Sequence, residues 1–377
     1  MTNYKYSYIF EAASIISLRQ LGALPMFFKH PVTSIDLSER YIKILSFSGW
    51  FQKKIKVIGQ IKLPDNSIVE GRIENKKNVI ISLRKLAQSM QITTGKRSAL
   101  GIPVGEADIK VITLKSKNKD DLNTEITERS EEIWGEALAN KAFAYHLLPL
   151  RDPKEKRQAL LVTTPETLVE EKIALVKAAQ FKVGLMDLNS FALYNMVDSN
   201  YSFSKGLNII LNIEYRSSQI VYVSEGDFSG EDKILFGEEN YFKNIIEHLN
   251  IQHEKTKNII TSSLKYKNLL YTKYKEIIHS THSLFLTQVS SKIEEYLASE
   301  KNIKKHTKVT EFYLTGDGCN HPSYASTIQR KFETKTQIIN PLKNYQVPKE
   351  QGKKIFTERN SFSIASGLAN RGFYYIK

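Results

Sequence analysis

Two β-type runs, Thr33–Leu37 and Tyr41–Phe47, set single polar positions among apolar ones and flank a tight polar turn. That pattern predicts a β-hairpin with Asp36 near the end of its first strand and Lys43 set into an otherwise apolar second strand. Lys54–Leu63 continues as another strand up to the turn "LPDNS". The period then changes. In "VEGRIENKKNVIISLRKLAQSM", Val79, Ile80, Leu83 and Leu86 recur at helical spacing behind an acidic start. Short strands broken by Pro103 and Gly105 follow in "SALGIPVGEADIKVITLK". Asp120–Leu148 is expected to form one or two helices with acidic first turns. "RQALLVTTP" has the composition of a fully buried strand. Pro165 opens a helix over Glu166–Ala179, and "KVGLMDL" is the next strand. Ahead of all this, Tyr8–Leu21 is expected to be a short helix.

The second half opens with a pattern already met. Leu207–Ile213 and Ser218–Val223 predict a second hairpin, and laying "SIDLSERYIKIL" on "ILNIEYRSSQIVYV" puts Asp36 on Asn212, Leu37 on Ile213 and Ser38 on Glu214. A hairpin repeated about 175 residues later implies two similar halves facing one another. Lysine-rich helices run from Tyr241 to about Glu300. The strand "KVTEFYLTGDG" ends in Gly316 and Gly318 and leads into a helix over Tyr324–Phe332. "NSFSIASGLANRGF" closes the chain with small residues along a helix.

The chain has 377 residues, 41% apolar and 25% charged, enough for two domains or one bilobed one and ordinary for a folded protein. Lys and Arg exceed Asp and Glu by 54 to 40, a net charge of +14. The Lys, Ile, Asn and Tyr richness reads as A/T-biased coding, with recruitment to an anionic surface the second explanation. Cys319 is the single cysteine, so an intramolecular disulfide and a cysteine zinc site are excluded and a reducing compartment is expected. The longest apolar runs fall far short of the roughly 20 residues that cross a bilayer. The opening residues are too weakly charged and too interrupted for a signal peptide. Met26 begins "MFFKHPVTSIDLS", which has the look of a natural start, leaving residues 1–25 as an extension.

Two strand–turn–strand hairpins and a glycine-rich strand-to-helix turn together resemble the phosphate clamp of actin-like ATPases. In such clamps backbone amides cradle phosphates, small residues let the main chain approach, and strand-end aspartates hold a metal ion. In order along the chain, "MFFKHPVTSIDLSERYIKIL", "NSIVEGRIEN", "EEIWGEAL", "LLVTTPETLVEEKIALVKAAQFKVGLMDLNSFAL", "HLNIQHEKTKNI", "LTGDGCN" and "FSIASGLANRG" are similar to segments of the PilM family of type IV pilus assembly, and more distantly to the division protein FtsA. The resemblance runs from about Met26 to the end. It implies an α/β fold of the actin-like, ribonuclease H-like kind, with two lobes, each built on a five-stranded mixed sheet, and a small inserted α+β subdomain. The first lobe would be 26–96 with 166–205 and 361–377, the subdomain 97–165, and the second lobe 206–360 with a helical part at about 236–305. The implied nucleotide contacts are Asp36, Ser38, Lys43, Asn212, Glu214, Gly316 and Gly318, with Asp36 on the metal and ATP with Mg as the ligand.

The departures from the family pattern matter as much. Ser38 replaces a glycine, Asn212 an aspartate and Glu214 another glycine, which puts negative charge where a phosphate would approach. Asn189 stands where the family tends to carry an acid near the attacking water. Lys257 and Ile260 replace an acid and a base on the helix facing the adenosine. Phosphoryl transfer depends on positioning and charge neutralisation, so no catalytic residue is assigned and hydrolysis is not expected. Some plain readings stay open. Asp36 could be a turn residue, Lys43 a snorkelling lysine, and Gly316 and Gly318 serve a tight turn with no ligand. Cys319 reads as a packing residue, and "TTGKRS" at 93–98 as a loop that only mimics a nucleotide motif. The segment with Tyr266, Tyr271 and Tyr274 among lysines reads as a solvated helical face rather than a nucleic-acid platform.

What the resemblance implies for function is a cytoplasmic scaffold at the inner membrane. It would bind the N-terminal cytoplasmic peptide of a PilN-like single-pass protein, with pilus motor components as further partners and no nucleic acid. The alternatives are an active ATPase of the same fold, with Glu214 or Asp317 supplying a carboxylate, and a GspL-like component of type II secretion.

Overall fold

In the computed structural model, which describes residues 32–48, 54–93, 95–116, 119–148, 156–249, 269–299, 308–320, 323–347 and 359–375, the opening hairpin forms where the two β-type runs placed it. Strand β1 (Thr33–Leu37) pairs antiparallel with β2 (Tyr41–Ser48), and β2 with β3 (Lys54–Lys62). A small hairpin, β4 (Ile68–Val69) and β5 (Arg72–Ile73), precedes α1 (Lys76–Ser89). Asn75 caps that helix by accepting from the Asn78 amide at 3.0 Å. Strands β6 (Arg97–Ile102) and β10 (Lys182–Leu188) add in parallel, giving the order β10-β6-β1-β2-β3. Helices α3 (Glu166–Ala178) and α4 (Asn189–Asn200) belong to the same compact unit, residues 1–199 with 344–350 and 364–377.

A three-stranded antiparallel sheet, β7 (Asp108–Thr113), β9 (Gln158–Pro165) and β8 (Lys141–Leu147) in the order β7-β9-β8, carries α2 (Lys119–Trp134) on a core of Ile112, Leu122, Ile126, Phe143 and Leu161. Here one expectation fails. Asp120–Leu148 is not helical throughout: α2 stops at Trp134, a 3₁₀ turn spans Gly135–Asn140, and Lys141–Leu147 is a strand in continuous register with β9. Gly135 has φ +54 and ends the helix, and the β-forming Phe143 and Tyr145 gain a partner strand that isolated helical spacing does not reveal.

The second unit, residues 200–343 with 351–363, repeats the first plan. Strands β11 (Leu207–Ile213), β12 (Ser218–Ser224), β13 (Asp227–Ile234), β14 (Val309–Thr315) and β15 (Lys335–Ile338) form a sheet in the order β13-β12-β11-β14-β15, antiparallel from β11 to β13 and parallel from β11 to β15. This matches the first sheet strand for strand. All seven residues of β11 are buried, as a central strand covered on both faces requires. Helices α5 (Glu238–Leu249), α6 (Leu269–Ala298) and α7 (Tyr324–Phe332) share the apolar cluster with this sheet. Tyr274 is buried there while Lys273 and Lys275 are exposed. Tyr8–Leu21, Met26, Lys257, Ile260 and Tyr266 lie outside the described residues, and nothing is placed for them.

Helix α8 (Ser363–Tyr375) ends the described chain, and its small residues have a packing reason. A Cβ on Gly367 would overlap the Ala192 carbonyl oxygen on α4. Because backbone yields less readily than a side-chain tip, Gly367→Ala should cost about 1–3 kcal/mol. An unchanged urea midpoint would show that the two helices can separate freely.

Candidate functional site

In the first hairpin Asp36 and Lys43 are direct cross-strand partners, and both are buried, at 3% and 2% exposure. Lys43 is therefore not a surface lysine. Ser38 closes the turn twice, its amide and its hydroxyl both donating to the Tyr41 carbonyl at 3.1 and 2.8 Å. Its φ is not positive, so the backbone here does not need the glycine that the family pattern has. The turn is fastened from outside as well: Leu63 donates to the Arg40 carbonyl at 2.8 Å, and the Glu70 amide to the Glu39 carboxylate at 2.6 Å.

A third buried charge joins them. Lys172 on α3 is 2% exposed, and burial pushes its amine down to about 8, while Glu171, Asp36 and Glu106 each pull it back up. The sequence reading did not single out this residue. A signal was present: Val169, Lys172, Leu175 and Val176 form the buried stripe of α3, so a lysine occupies an apolar position at helical spacing.

Deeper in the same unit, Asp187 on β10 and Arg371 on α8 form an ion pair at 3.2 Å, each 3% exposed. The approach lacks hydrogen-bond geometry for those two atoms, although the other Asp187 oxygen accepts from the Leu188 amide at 2.9 Å. Burial raises the Asp187 carboxyl and Arg371 opposes the rise. His146 on β8 is held down to about 4, first by burial and then by Arg371, so it stays neutral. Asn189, where the family tends to carry an acid, is 8% exposed and its Oδ1 has no hydrogen-bond partner among the described residues. It lies so close to β6 that a Cβ on Gly101 would overlap that oxygen.

The second hairpin has the same frame with different chemistry. Asn212 faces Gln219, so an amide pair occupies the register that Asp36 and Lys43 hold in the first hairpin. Glu214 closes the turn through its amide to the Ser217 carbonyl at 3.0 Å, and its carboxylate accepts from the Asn212 amide at 3.1 Å. The Glu214 and Tyr215 carbonyls accept from the Glu238 and Glu239 amides at 2.9 and 2.7 Å, fastening the turn to the start of α5. Gly316, with φ +94, and Gly318 pack on this hairpin; a Cβ on Gly318 would lie 2.7 Å from the Ile213 Cγ2. Contacts within the protein thus account for both glycines.

Cys319, beside that turn, is fully buried and takes a hydrogen bond from the Asn360 amide at 3.6 Å. Burial pushes its thiol up to about 12. Cys319 should therefore stay unreactive to a thiol-specific disulfide reagent in the native protein and react fully in denaturant. Rapid native labelling would contradict that burial.

These residues do not fit a divalent ion. Such an ion takes a shell of oxygen ligands, yet Asp36 lies beside two buried amines, and Asn212 already holds the carboxylate of Glu214. Among the described residues no group of three or more His, Cys, Asp or Glu could hold a metal.

Comparison with known proteins completes the picture. No curated protein sequence matches the chain. A structure described as a PilM–PilN type IV pilus biogenesis complex aligns with TM-score 0.74 at 14% identity, over 92% of this chain and 99% of that one. The ethanolamine utilization protein EutJ of Carboxydothermus hydrogenoformans aligns with TM-score 0.52 at 11% identity, over 92% and 91%. MreB 5 of Spiroplasma citri, bound to AMPPNP, aligns with TM-score 0.50 at 10% identity, over 90% and 95%. At these identities the structures establish the actin-like fold. The family is established by sequence: residues 34–373 match the family model for type IV pilus assembly protein PilM, and the chain belongs to that family.

Proposed function

We propose that the chain is a scaffold of a type IV pilus inner-membrane assembly, binding the N-terminal cytoplasmic peptide of a PilN-like single-pass protein without turning over nucleotide. The similar structure described as a PilM–PilN complex supports the partner. The observation that carries the absence of turnover is the Asn212–Glu214 hydrogen bond. It places a carboxylate and its donor in a turn where phosphate binding calls for bare amides. Asn189 supports the same reading, because an amide cannot take a proton from water at neutral pH.

The peptide is assigned to the cleft between the three-stranded sheet with α2, within the subdomain at 97–165, and the first five-stranded sheet. In this reading the protein works in the cytoplasm, docked at the inner membrane. Among the described residues no helix is long and apolar enough to cross a membrane, and a net charge of +14 suits an anionic leaflet.

Fluorescence anisotropy with labelled peptides taken from the cytoplasmic N-termini of PilN-like single-pass proteins tests the proposal. One such peptide should bind saturably, with the same affinity with and without MgATP. Failure of every such peptide to bind would overturn the scaffold role. ATP turnover that disappears in Asp36→Ala would establish the active ATPase instead.

A further inference from the structure

The charge of the chain is unevenly placed. Residues 206–249 carry eight acidic side chains against three basic ones, whereas 40–64, 76–105 and 172–186 contain six, six and three basic residues and no acid. Biased coding enriches lysine throughout a chain and does not empty three stretches of acid. The fold brings these stretches to one end of the first unit. Helices α1 and α3 run side by side and finish there, the Arg84 guanidinium donating to the Ala178 carbonyl at 3.0 and 2.6 Å. Just beyond them the Gly95 amide donates to the Gln180 carbonyl at 2.8 Å, and the Lys182 amide to the Lys96 carbonyl at 2.9 Å, where β6 and β10 begin. Strand β3 begins at the same end, since Thr33 faces both Ser98 and Ser46 and Ser48 faces Lys54. Lys54, Lys56, Lys85, Lys96, Lys177 and Lys182 are all exposed. The acids of α3, Glu166, Glu170 and Glu171, lie in its first half, away from this end. Lys177, in the last turn of α3, also complements the helix dipole. The lysines at the strand starts have no such role.

We propose that this basic end of the first unit lies against an anionic lipid leaflet, with headgroup phosphates as the ligands of its lysines. An ammonium group is a compact point charge on a flexible stem, which suits a fluid array of headgroups. An apolar side chain favours a bilayer over a nucleic acid: Ile81, 39% exposed, stands on α1 one turn before Arg84 and Lys85, placed to enter the headgroup boundary. The rings of Phe47 and Phe181 at this end are 1% and 4% exposed, so neither can stack on a base. This assignment rests on the membrane docking proposed above and leaves the peptide cleft untouched, so vesicle binding and peptide binding can fail separately.

Flotation of the full chain with vesicles tests it, using phosphatidylcholine alone and phosphatidylcholine mixed with phosphatidylglycerol. The protein should float with the anionic vesicles and not with the neutral ones, and about 0.5 M salt should release it. Lys85→Gln, Lys96→Gln and Lys182→Gln combined should weaken partitioning roughly a hundredfold, at about fivefold for each lysine near the surface, without lowering the urea midpoint of unfolding. Lys273→Gln, Lys308→Gln and Lys331→Gln combined remove the same charge from exposed positions of the second unit. That variant should stay within about threefold of the parent. If the parent ignores anionic vesicles, membrane docking itself is wrong. If the parent binds them but the basic-end variant partitions like the parent, or both triple variants lose alike, docking stands and this face is wrong. Tighter binding to a single-stranded oligonucleotide than to anionic vesicles at equal phosphate would give the surface to nucleic acid and overturn the proposal.

Discussion

Replacing Arg371 by leucine is expected to cost the fold about 3–5 kcal/mol, a large share of the roughly 5–15 kcal/mol that holds a domain folded. The reason lies in what stays behind. Asp187 is 3% exposed, with Arg371 3.2 Å away. Burial already raises its carboxyl above the ordinary value of 3.8 with the guanidinium present. Without that guanidinium the carboxylate is an unpaired charge in the core. The pH dependence follows from the sign of the shift. A carboxyl whose folded value is raised favours the folded state as it gains a proton, so the deficit of Arg371→Leu should shrink as pH falls through that raised value. Asp187→Asn combined with Arg371→Leu should recover most of the loss, because the pair is then replaced by neutral groups. Urea unfolding of the parent protein and these two variants at neutral and acidic pH measures all of this. A loss below about 1 kcal/mol, or a deficit that grows in acid, would mean that water or another group neutralises Asp187.

Lys172→Met should do the opposite and stabilise the fold at pH 7. Burial takes the Lys172 amine from 10.5 down to about 8. That difference corresponds to about 3 kcal/mol of preference for the neutral form. Below about 8 the lysine is charged in both folded and unfolded states, and the full cost of burying the charge is present. Between about 8 and 10.5 the unfolded chain holds the proton and the folded one does not, so the stability of the unmodified protein rises with pH. The advantage of methionine is therefore greatest near neutrality and gone once the pH exceeds 10.5. Methionine matches the length and flexibility of the lysine stem, so little packing is lost. A methionine variant less stable than the parent at pH 7 would show that the attraction to Asp36, Glu171 and Glu106 outweighs desolvation. A buried charge that lowers stability is a common mark of a functional position.

Much of the frame was legible in the chain. The β-type runs over Thr33–Leu37, Tyr41–Phe47, Leu207–Ile213 and Ser218–Val223 marked both hairpins, and their likeness anticipated two similar halves; that the two sheets share one strand order came from the structure. The changes at Ser38, Asn212 and Glu214 could be read as well, since a residue type at a turn is local information. Three things were missed for a common reason. Lys141–Leu147 looked helical because its partner β9 comes later in sequence. That Asn212 and Gln219 face each other across the second hairpin, as Asp36 and Lys43 do across the first, depends on cross-strand register. Arg371 and Asp187 are 184 positions apart (371 less 187), and nothing near either of them announces the other.

By itself the sequence determined the order and type of most elements, the repeated hairpin and the loss of acidic and glycine positions, because each is expressed in short-range periodicity or in one side chain. Only the tertiary structure decided which charges share a buried environment. Lys172 became the neighbour of Asp36, and Glu214 the partner of Asn212, when packing removed water and left each charge to the groups folded around it.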